Sequence, residues 1–160
     1  MISQPSLRQK LENLQIALPP VAGPFGAYVP VKVFGNLAYV SGQLPMIAGK
    51  LIATGQVPSQ CPVDQAKIAA RQCVINALGA IEATGDGLLD RLTGVVRLGA
   101  FVSSDGSFTE QPKVANGASE LLLELFGDQG KHVRAAVGVN TLPLNASVEI
   151  EFIFSLSVGE

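Results

Sequence analysis

Three stretches of the chain place apolar residues at helical spacing. The two longer ones run from Val63 to Thr84 and from Pro112 to Phe126, and a glycine follows each at the position where helices commonly end. A shorter helical pattern begins at Leu7 and ends before Pro19-Pro20. The sequence therefore predicts two main helices and an extra N-terminal helix.

Alternating apolar and polar residues predict the strands. Two apolar runs between Tyr28 and Gln43 flank Gly35-Asn36, a pair typical of a tight hairpin turn. Further strands are predicted at Lys50–Thr54, Thr93–Val102, His132–Val139 and Val148–Val158. Because two helices can cover only one face of such a sheet, the order of elements predicts an α+β fold with the main helices on one face.

Arg134 and Glu149 are charged residues among apolar neighbours in the last two strands. In His132–Val139 the alternation predicts that the valines and Ala135 face the helices and that Arg134 lies on the opposite face. In the last strand, Glu149 falls on that opposite face as well. If residues 141–146 close an antiparallel hairpin, the two charges lie about 13 Å apart along the strands. They would then meet through a ligand or water, or across a subunit boundary.

The balance of apolar and charged residues indicates self-association. A chain of 160 residues is long enough for a single domain with a sizeable core. Apolar residues make up 48% of it and charged residues only 15%, below the roughly 25% of ordinary soluble domains. One copy is therefore short of polar residues to cover itself, which favours a homo-oligomer.

Several classes of function are not expected from this composition. The net charge is -2 and the lysines and arginines are scattered, so nucleic acid is not the expected partner. No apolar run approaches the roughly 18 residues that span a bilayer, and no signal peptide is recognised, which predicts a cytoplasmic protein. Cys61, Cys73 and the single histidine do not make a metal-ligand set, so no metal is expected.

The surroundings of Arg134 suggest a binding site for a small acid. Ala136 and Gly138 are small and leave room beside an arginine whose planar fork matches a carboxylate, while Glu149 can orient or deprotonate water. The alternative is that both charges form ion pairs at an interface. Asn116 either reaches the same cleft or caps the second helix, and His132 lies either at the cleft rim or in a surface or interface position.

Two motifs resemble the signatures of the Rid (YjgF) family of reactive-intermediate deaminases, often labelled endoribonuclease L-PSP. "RAAVGV" at 134–139, followed by Leu142-Pro143 and "VEIE" at 148–151, is similar to the C-terminal signature. "GNLAYVSGQLP" at 35–45 is similar to the N-terminal one. The resemblance predicts a single domain over 1–160, with 1–29 as a helix and loop extension and 30–160 as the core. The leading helix and "QPKVANG" at 111–117 resemble a longer-chain subgroup.

The resemblance implies a homotrimer with a chorismate-mutase-like fold and active sites in clefts between subunits. It implies hydrolysis of 2-enamine or 2-imino acids to 2-keto acids and ammonia, without metal or cofactor. In the family, the arginine that matches Arg134 binds the substrate carboxylate. The glutamate that matches Glu149 positions or activates water.

The resemblance also implies which residues line the pocket. The backbone of Ser41 and Gly42 would lie along it, and an aromatic residue would close it; Tyr28 is preferred to Phe25 for this place. Ala136 stands where many members carry cysteine, which affects the expected substrate range. A carboxylate-binding trimer without catalysis, acting as a sensor or chaperone, is the alternative function, and ribonuclease action is less favoured because basic and aromatic stripes are absent.

Overall fold

The computed structural model of the chain describes residues 5–21 and 26–158, so Phe25 lies outside the described residues. The helices are α1 (Leu7–Asn13), α2 (Val63–Thr84) and α3 (Gln111–Phe126). The strands are β1 (Val31–Phe34), β2 (Leu37–Gln43), β3 (Met46–Ile47), β4 (Lys50–Leu51), β5 (Leu92–Ser103), β6 (Val133–Val139) and β7 (Val148–Leu156). The strand predicted at Lys50–Thr54 is shorter than expected: β4 pairs with β3 in a separate two-stranded ribbon, and Thr54 forms only an isolated bridge with Ala146.

The predicted α+β arrangement is confirmed. Five strands form one sheet in the order β1-β2-β7-β5-β6, and only β5 and β6 are parallel neighbours. Helix α2 packs against β2 and β7, while α3 packs against β5 and β6, so both main helices cover the same face. We call the other side the open face of the sheet.

The predicted hairpin between the last two strands is wrong, because β5 lies between β6 and β7. After β5 the chain runs back along one face of the sheet as α3, and β6 then lies parallel to β5. Neighbouring parallel strands require a crossover connection of this kind. The loop after β6 then bonds to an earlier segment instead of closing a hairpin. The amide of Gly55 donates to the Asn145 carbonyl at 2.9 Å, and the amide of Ser147 donates to the Ala53 carbonyl at 3.2 Å.

The two faces of β6 are also the reverse of the prediction. Arg134 pairs in register with Leu98, which is fully buried beneath the helices, so Arg134 lies on the helix side. Val133 and Val137 lie on the open face, with 67% and 45% of their surfaces exposed. A Cβ atom on Gly138 would approach Nε2 of Gln111 to 2.8 Å, so a larger residue there would have to displace the Gln111 side chain at the start of α3. The branched residues therefore occupy the uncovered face.

Strand β7 follows its predicted alternation up to its end at Leu156. Its helix-side residues are buried: Val148, Ile150, Phe152, Phe154 and Leu156. Its open-face residues are half-buried: Glu149, Glu151, Ile153 and Ser155. The predicted end of this strand at Val158 is wrong, because β7 ends at Leu156 and Val158 beyond it is 82% exposed.

Helices α2 and α3 approach each other very closely at Gly117. A Cβ atom there would overlap the carbonyl oxygen of Lys67, a backbone atom that cannot move aside easily. The Lys67 ammonium group also pairs with Glu120 at 2.9 Å, on the exposed side of the same contact. The contact therefore sets how closely α3 packs beside α2.

The N-terminal helix is held against the end of α2 by charge. The hydroxyl of Ser6 accepts from the amide of Gln9, and the Gln9 side chain accepts from the amide of Ser6, a reciprocal cap. Arg8 pairs with Glu82 at 3.0 Å and with Asp90 at 2.7 Å.

Within the described residues, no helix combines the length and the apolar character that crossing a bilayer requires.

Candidate functional site

Four side chains form the first group of candidate residues, which we call the Arg134 cluster: Arg134, Asn116, Ser119 and His132. The Nη1 atom of Arg134 donates to Asn116 Oδ1 at 2.8 Å and to Ser119 Oγ at 3.1 Å. His132 contacts Ser119 Oγ through Nε2 at 2.9 Å. Asn116 and Ser119 lie one turn apart on α3, so both face the edge strand β6.

One edge of the Arg134 guanidinium remains available to a ligand. Both hydrogen bonds use Nη1, and no carboxylate in the described parts of the chain forms an ion pair with this arginine. The Nε and Nη2 groups together make the fork that binds a carboxylate with two parallel hydrogen bonds. The side chain is exposed, so a small anion can reach that fork from solvent.

The residues that follow Arg134 on its face leave space along α3. Ala136 is half-buried against the core, and Gly138 lines a cavity of about 210 Å³ together with Ser104, Gln111 and Asn140. The small residues expected beside Arg134 are therefore present. They lie beneath α3 rather than on the open face.

The second group, the Glu149 cluster, lies on the open face and consists of Glu149, Ser41, Gly42 and Glu151. Between Val40 and Gln43 the pairing of β2 with β7 shifts, so Ser41 and Gly42 form a bulge. Bulges re-aim side chains and are common beside active sites. A Cβ atom on Gly42 would overlap the Glu149 carboxylate, so the Glu149 side chain lies directly over this glycine.

The surroundings of Glu149 favour its protonated form. Burial raises the pKa of this carboxyl above its usual range, and the nearby charge of Glu151 raises the pKa further. Glu151 itself is paired with Arg97 at 2.6 Å. A carboxylate with a raised pKa accepts a proton from water more readily than an ordinary one, which suits a general base.

Tyr28 belongs to the loop that ends beside the Glu149 cluster. The Pro30 carbonyl at the end of this loop accepts from the amide of Ser41 at 2.9 Å. Tyr28 itself is 58% exposed, two residues before Pro30. Its role as the aromatic wall of the pocket stays a prediction.

The two clusters cannot form one site within a single copy of the chain. Arg134 lies on the helix side of β6, and Glu149 lies on the open face of β7. Glu149 and Val137 both pair with Phe101, so they lie at the same level of the sheet. Arg134 is therefore two strands away from Glu149 across the sheet and three residues away along the strand direction. Two strand spacings and three residues of rise separate their Cα atoms by about 14 Å, in addition to the opposite faces. The sequence-based distance was similar, but the shared face was wrong.

Ser119 is a member of the Arg134 cluster that the sequence reasoning missed. Its spacing of three residues from Asn116 places both on one helix face, and this is the signal that could have identified it. His132 was considered for a cleft rim, and the structure places it within the cluster. The two cysteines belong to neither cluster: both are buried, and burial raises the pKa of the Cys73 thiol, which keeps it protonated.

Replacing Gly42 by alanine is expected to lower the rate of the imine hydrolysis that the family resemblance implies, while leaving the fold nearly unchanged. The added methyl group would displace the Glu149 carboxylate, a flexible side-chain end, and Gly42 has no left-handed backbone conformation to lose. We expect a drop of about tenfold or more in kcat with a small change in the melting temperature. Gly106→Ala is the matched control, because a Cβ there meets no atom within 4 Å. Unchanged kcat in Gly42→Ala would show that the position of Glu149 is unimportant.

A family model and several known proteins match this chain. The family is described as "YjgF/chorismate mutase-like, putative endoribonuclease", and it matches residues 8–156. Protein TCP17 of Trypanosoma cruzi is 43% identical over 149 residues, which cover 92% of each chain. A 2-iminobutanoate/2-iminopropanoate deaminase of Dermatophagoides farinae is 30% identical over 139 residues, covering 86% of this chain and 92% of that protein.

A solved structure agrees with the fold described above. The crystal structure of Atu1372 from Agrobacterium tumefaciens, a protein of unknown function, has a TM-score of 0.85 and 43% identity. It matches 95% of this chain, and 92% of its own length is covered. The likeness therefore includes nearly all of the elements that position the two clusters.

Proposed function

The chain belongs to the YjgF/chorismate mutase-like family, and from this premise we propose that it hydrolyses 2-imino acids, or their enamine tautomers, to 2-keto acids and ammonia. One observation carries the proposal: the same chain presents both an arginine fork that is open to a ligand, on Arg134, and a carboxyl group of raised pKa, on Glu149. Each lies at a surface that one copy leaves uncovered. The deaminase of Dermatophagoides farinae supports the substrate class.

The proposed chemistry needs a bound carboxylate and a water molecule. Arg134 binds the substrate carboxylate through Nε and Nη2, which places the imine carbon next to the Glu149 carboxylate of another copy. Glu149 takes a proton from water as the water oxygen attacks the imine carbon, and it returns this proton to the imine nitrogen to give a carbinolamine. The proton of the new hydroxyl group then passes through Glu149 to the nitrogen, the C–N bond breaks, and ammonia leaves as the C=O bond of the 2-keto acid forms. The reaction needs positioning and proton transfer rather than a nucleophilic side chain.

The open face of the sheet supports assembly with further copies. Several of its side chains are apolar and exposed or half-buried: Tyr39, Phe101, Val133, Val137 and Ile153. Such a face is costly in water and suits a subunit interface. We propose a cyclic trimer with three equivalent sites, each with the Arg134 cluster of one copy and the Glu149 cluster of its neighbour.

The proposal is tested by measuring ammonia release. An amino-acid oxidase generates imines in situ from 2-aminobutyrate and from larger amino acids, and the assay compares the rate with and without the purified protein. Faster release would support the deaminase. Binding of 2-oxobutanoate without any acceleration would overturn it in favour of a trimer that binds small carboxylates without turnover.

Mixing two inactive variants tests whether each site is built from two copies. Co-expression of Arg134→Ala with Glu149→Gln should produce mixed oligomers in which about a quarter of the interfaces carry both native residues. We therefore expect about a quarter of the wild-type activity, whereas each variant alone stays inactive. The control mixes separately assembled variants without exchange of subunits. An absence of recovery in verified mixed oligomers would contradict the two-copy site.

A further inference from the structure

We propose that Ser119 and His132 are positioning residues that hold the Arg134 guanidinium in its carboxylate-binding orientation, an inference that rests on the proposed function. Neither residue is part of the proposed binding fork. Both lie behind it, on the side of the guanidinium that faces α3 and the start of β6.

The acceptors around His132 fix the direction of the hydrogen bonds. The Gly130 carbonyl can only accept, and it lies 2.6 Å from His132 Nδ1, so Nδ1 carries the proton. In the neutral ring Nε2 is then an acceptor, and it receives the hydroxyl proton of Ser119 at 2.9 Å. The Ser119 oxygen keeps its lone pairs for Arg134 Nη1 at 3.1 Å. The result is one directed chain from arginine to serine to histidine to the backbone.

This series of hydrogen bonds reduces the conformational freedom of an arginine side chain on an edge strand. An exposed arginine side chain has many rotamers, and ordering it on binding a ligand costs free energy. Asn116 and Ser119 both accept from Nη1, which orders the planar group before the ligand arrives and leaves Nε and Nη2 together at the other edge. A guanidinium ordered in this way should bind a planar carboxylate much better than a group without charge.

The same contacts argue against Ser119 as a nucleophile, although a serine beside a histidine permits that role. The Ser119 hydroxyl is engaged by a cation on one side and by an imidazole on the other, and it is partly buried on a helix. The oxygen directed at Arg134 is therefore a hydrogen-bond acceptor for the guanidinium. A positioning role uses all of its observed contacts.

The test compares a carboxylate ligand with an uncharged one of the same shape. Affinities for 2-oxobutanoate and for 2-oxobutanamide are measured by NMR titration of the intact protein, and their ratio reports the contribution of the arginine fork. We expect Ser119→Ala to lower this ratio about five- to tenfold, in line with the loss of one hydrogen bond of ordinary strength, because the lost bond orders Arg134 and does not itself contact the ligand. Ser119→Thr keeps the hydroxyl and should retain the ratio within about twofold.

Two further variants separate positioning from general loss of structure. Glu120→Ala is the control, since Glu120 is the next residue on α3 but pairs with Lys67, away from Arg134. His132→Phe keeps a ring but removes the hydrogen-bond acceptor of the Ser119 hydroxyl. We expect it to lower the ratio of the two affinities only about threefold, because the hydroxyl of Ser119 keeps its contact with Arg134. If His132→Phe does not fold, the comparison of Ser119→Ala with Ser119→Thr decides alone.

The outcomes distinguish this inference from the proposed function. An equal loss of affinity for both ligands, or a wild-type ratio in Ser119→Ala, would overturn the positioning role. A wild-type protein that releases no ammonia but prefers the carboxylate would overturn only the deaminase. A wild-type protein with no preference for the carboxylate would overturn the role of Arg134, and the positioning role with it.

Discussion

Arg134→Ala is expected to lower kcat/KM for 2-iminobutanoate by about 10² to 10⁴. The variant loses two charge-assisted hydrogen bonds to the substrate carboxylate, each of which contributes about 1.5–3 kcal/mol. Part of the loss should appear in kcat, because a substrate without this contact no longer holds its imine carbon beside the Glu149 carboxylate. The measurement is steady-state ammonia release over a range of substrate concentrations.

Lysine at the same position separates charge from shape. Arg134→Lys keeps the positive charge but not the planar fork or the contact of Nη1 with Asn116, so we expect an activity between those of the wild type and the alanine variant. Arg71→Ala is the control, since Arg71 lies on α2 and pairs with Glu124 at 3.7 Å, apart from both clusters. Full activity in Arg134→Ala would rule out this arginine as the carboxylate-binding group.

Glu149→Gln is expected to lower kcat by about 10² to 10⁴ and to leave KM nearly unchanged. Glutamine keeps the volume of the side chain, but it cannot take a proton from the attacking water, and general base catalysis commonly contributes this much. In the proposed site, substrate binding depends on Arg134 of the other copy, so the affinity for 2-oxobutanoate should be retained. Unchanged kcat would exclude Glu149 as the base.

The same variant has an expected effect on stability, with a sign that follows from the raised pKa. The folded chain binds the Glu149 proton more tightly than the unfolded chain, so the free energy of unfolding falls as the pH rises above the ordinary value of 4.5. Glu149→Gln should therefore melt at a slightly higher temperature than the wild type at pH 7. The difference in melting temperature should vanish below about pH 4, where Glu149 is protonated in both the folded and the unfolded chain. Glu82→Gln, at an exposed ion pair, is the control.

The helices and most strand bounds could be predicted from the sequence, because they depend on local periodicity. The bounds of α2 are those of its apolar pattern, and the open-face position of Glu149 follows from the alternation of β7. The strand patterns singled out Arg134 and Glu149 as candidates, and motif resemblance led to the correct family. These features are encoded by residues that are neighbours along the chain.

The relation between the two clusters could not be predicted in this way. It depends on β5 lying between β6 and β7, and the Leu142-Pro143 turn suggests a simple hairpin instead. The apolar residues of β6 were assigned to the core because alternation shows which residues share a face, not what covers that face. Val133 and Val137 are apolar on a face that the helices leave uncovered, and alternation within one chain does not reveal that this face is uncovered.

The absence of a side chain at Gly117 has a consequence for engineering. Because α3 touches the backbone of α2 at this residue, the distance between the two helices, and with it the position of Asn116 and Ser119, comes from a backbone contact rather than from a chosen side chain. A library that varies the outward residues of both helices should keep the guanidinium in place, whereas any library that includes position 117 should lose most of its folded members. Changes in substrate range are therefore best sought on the opposite wall of the cleft, around Ser41 and the loop of Tyr28.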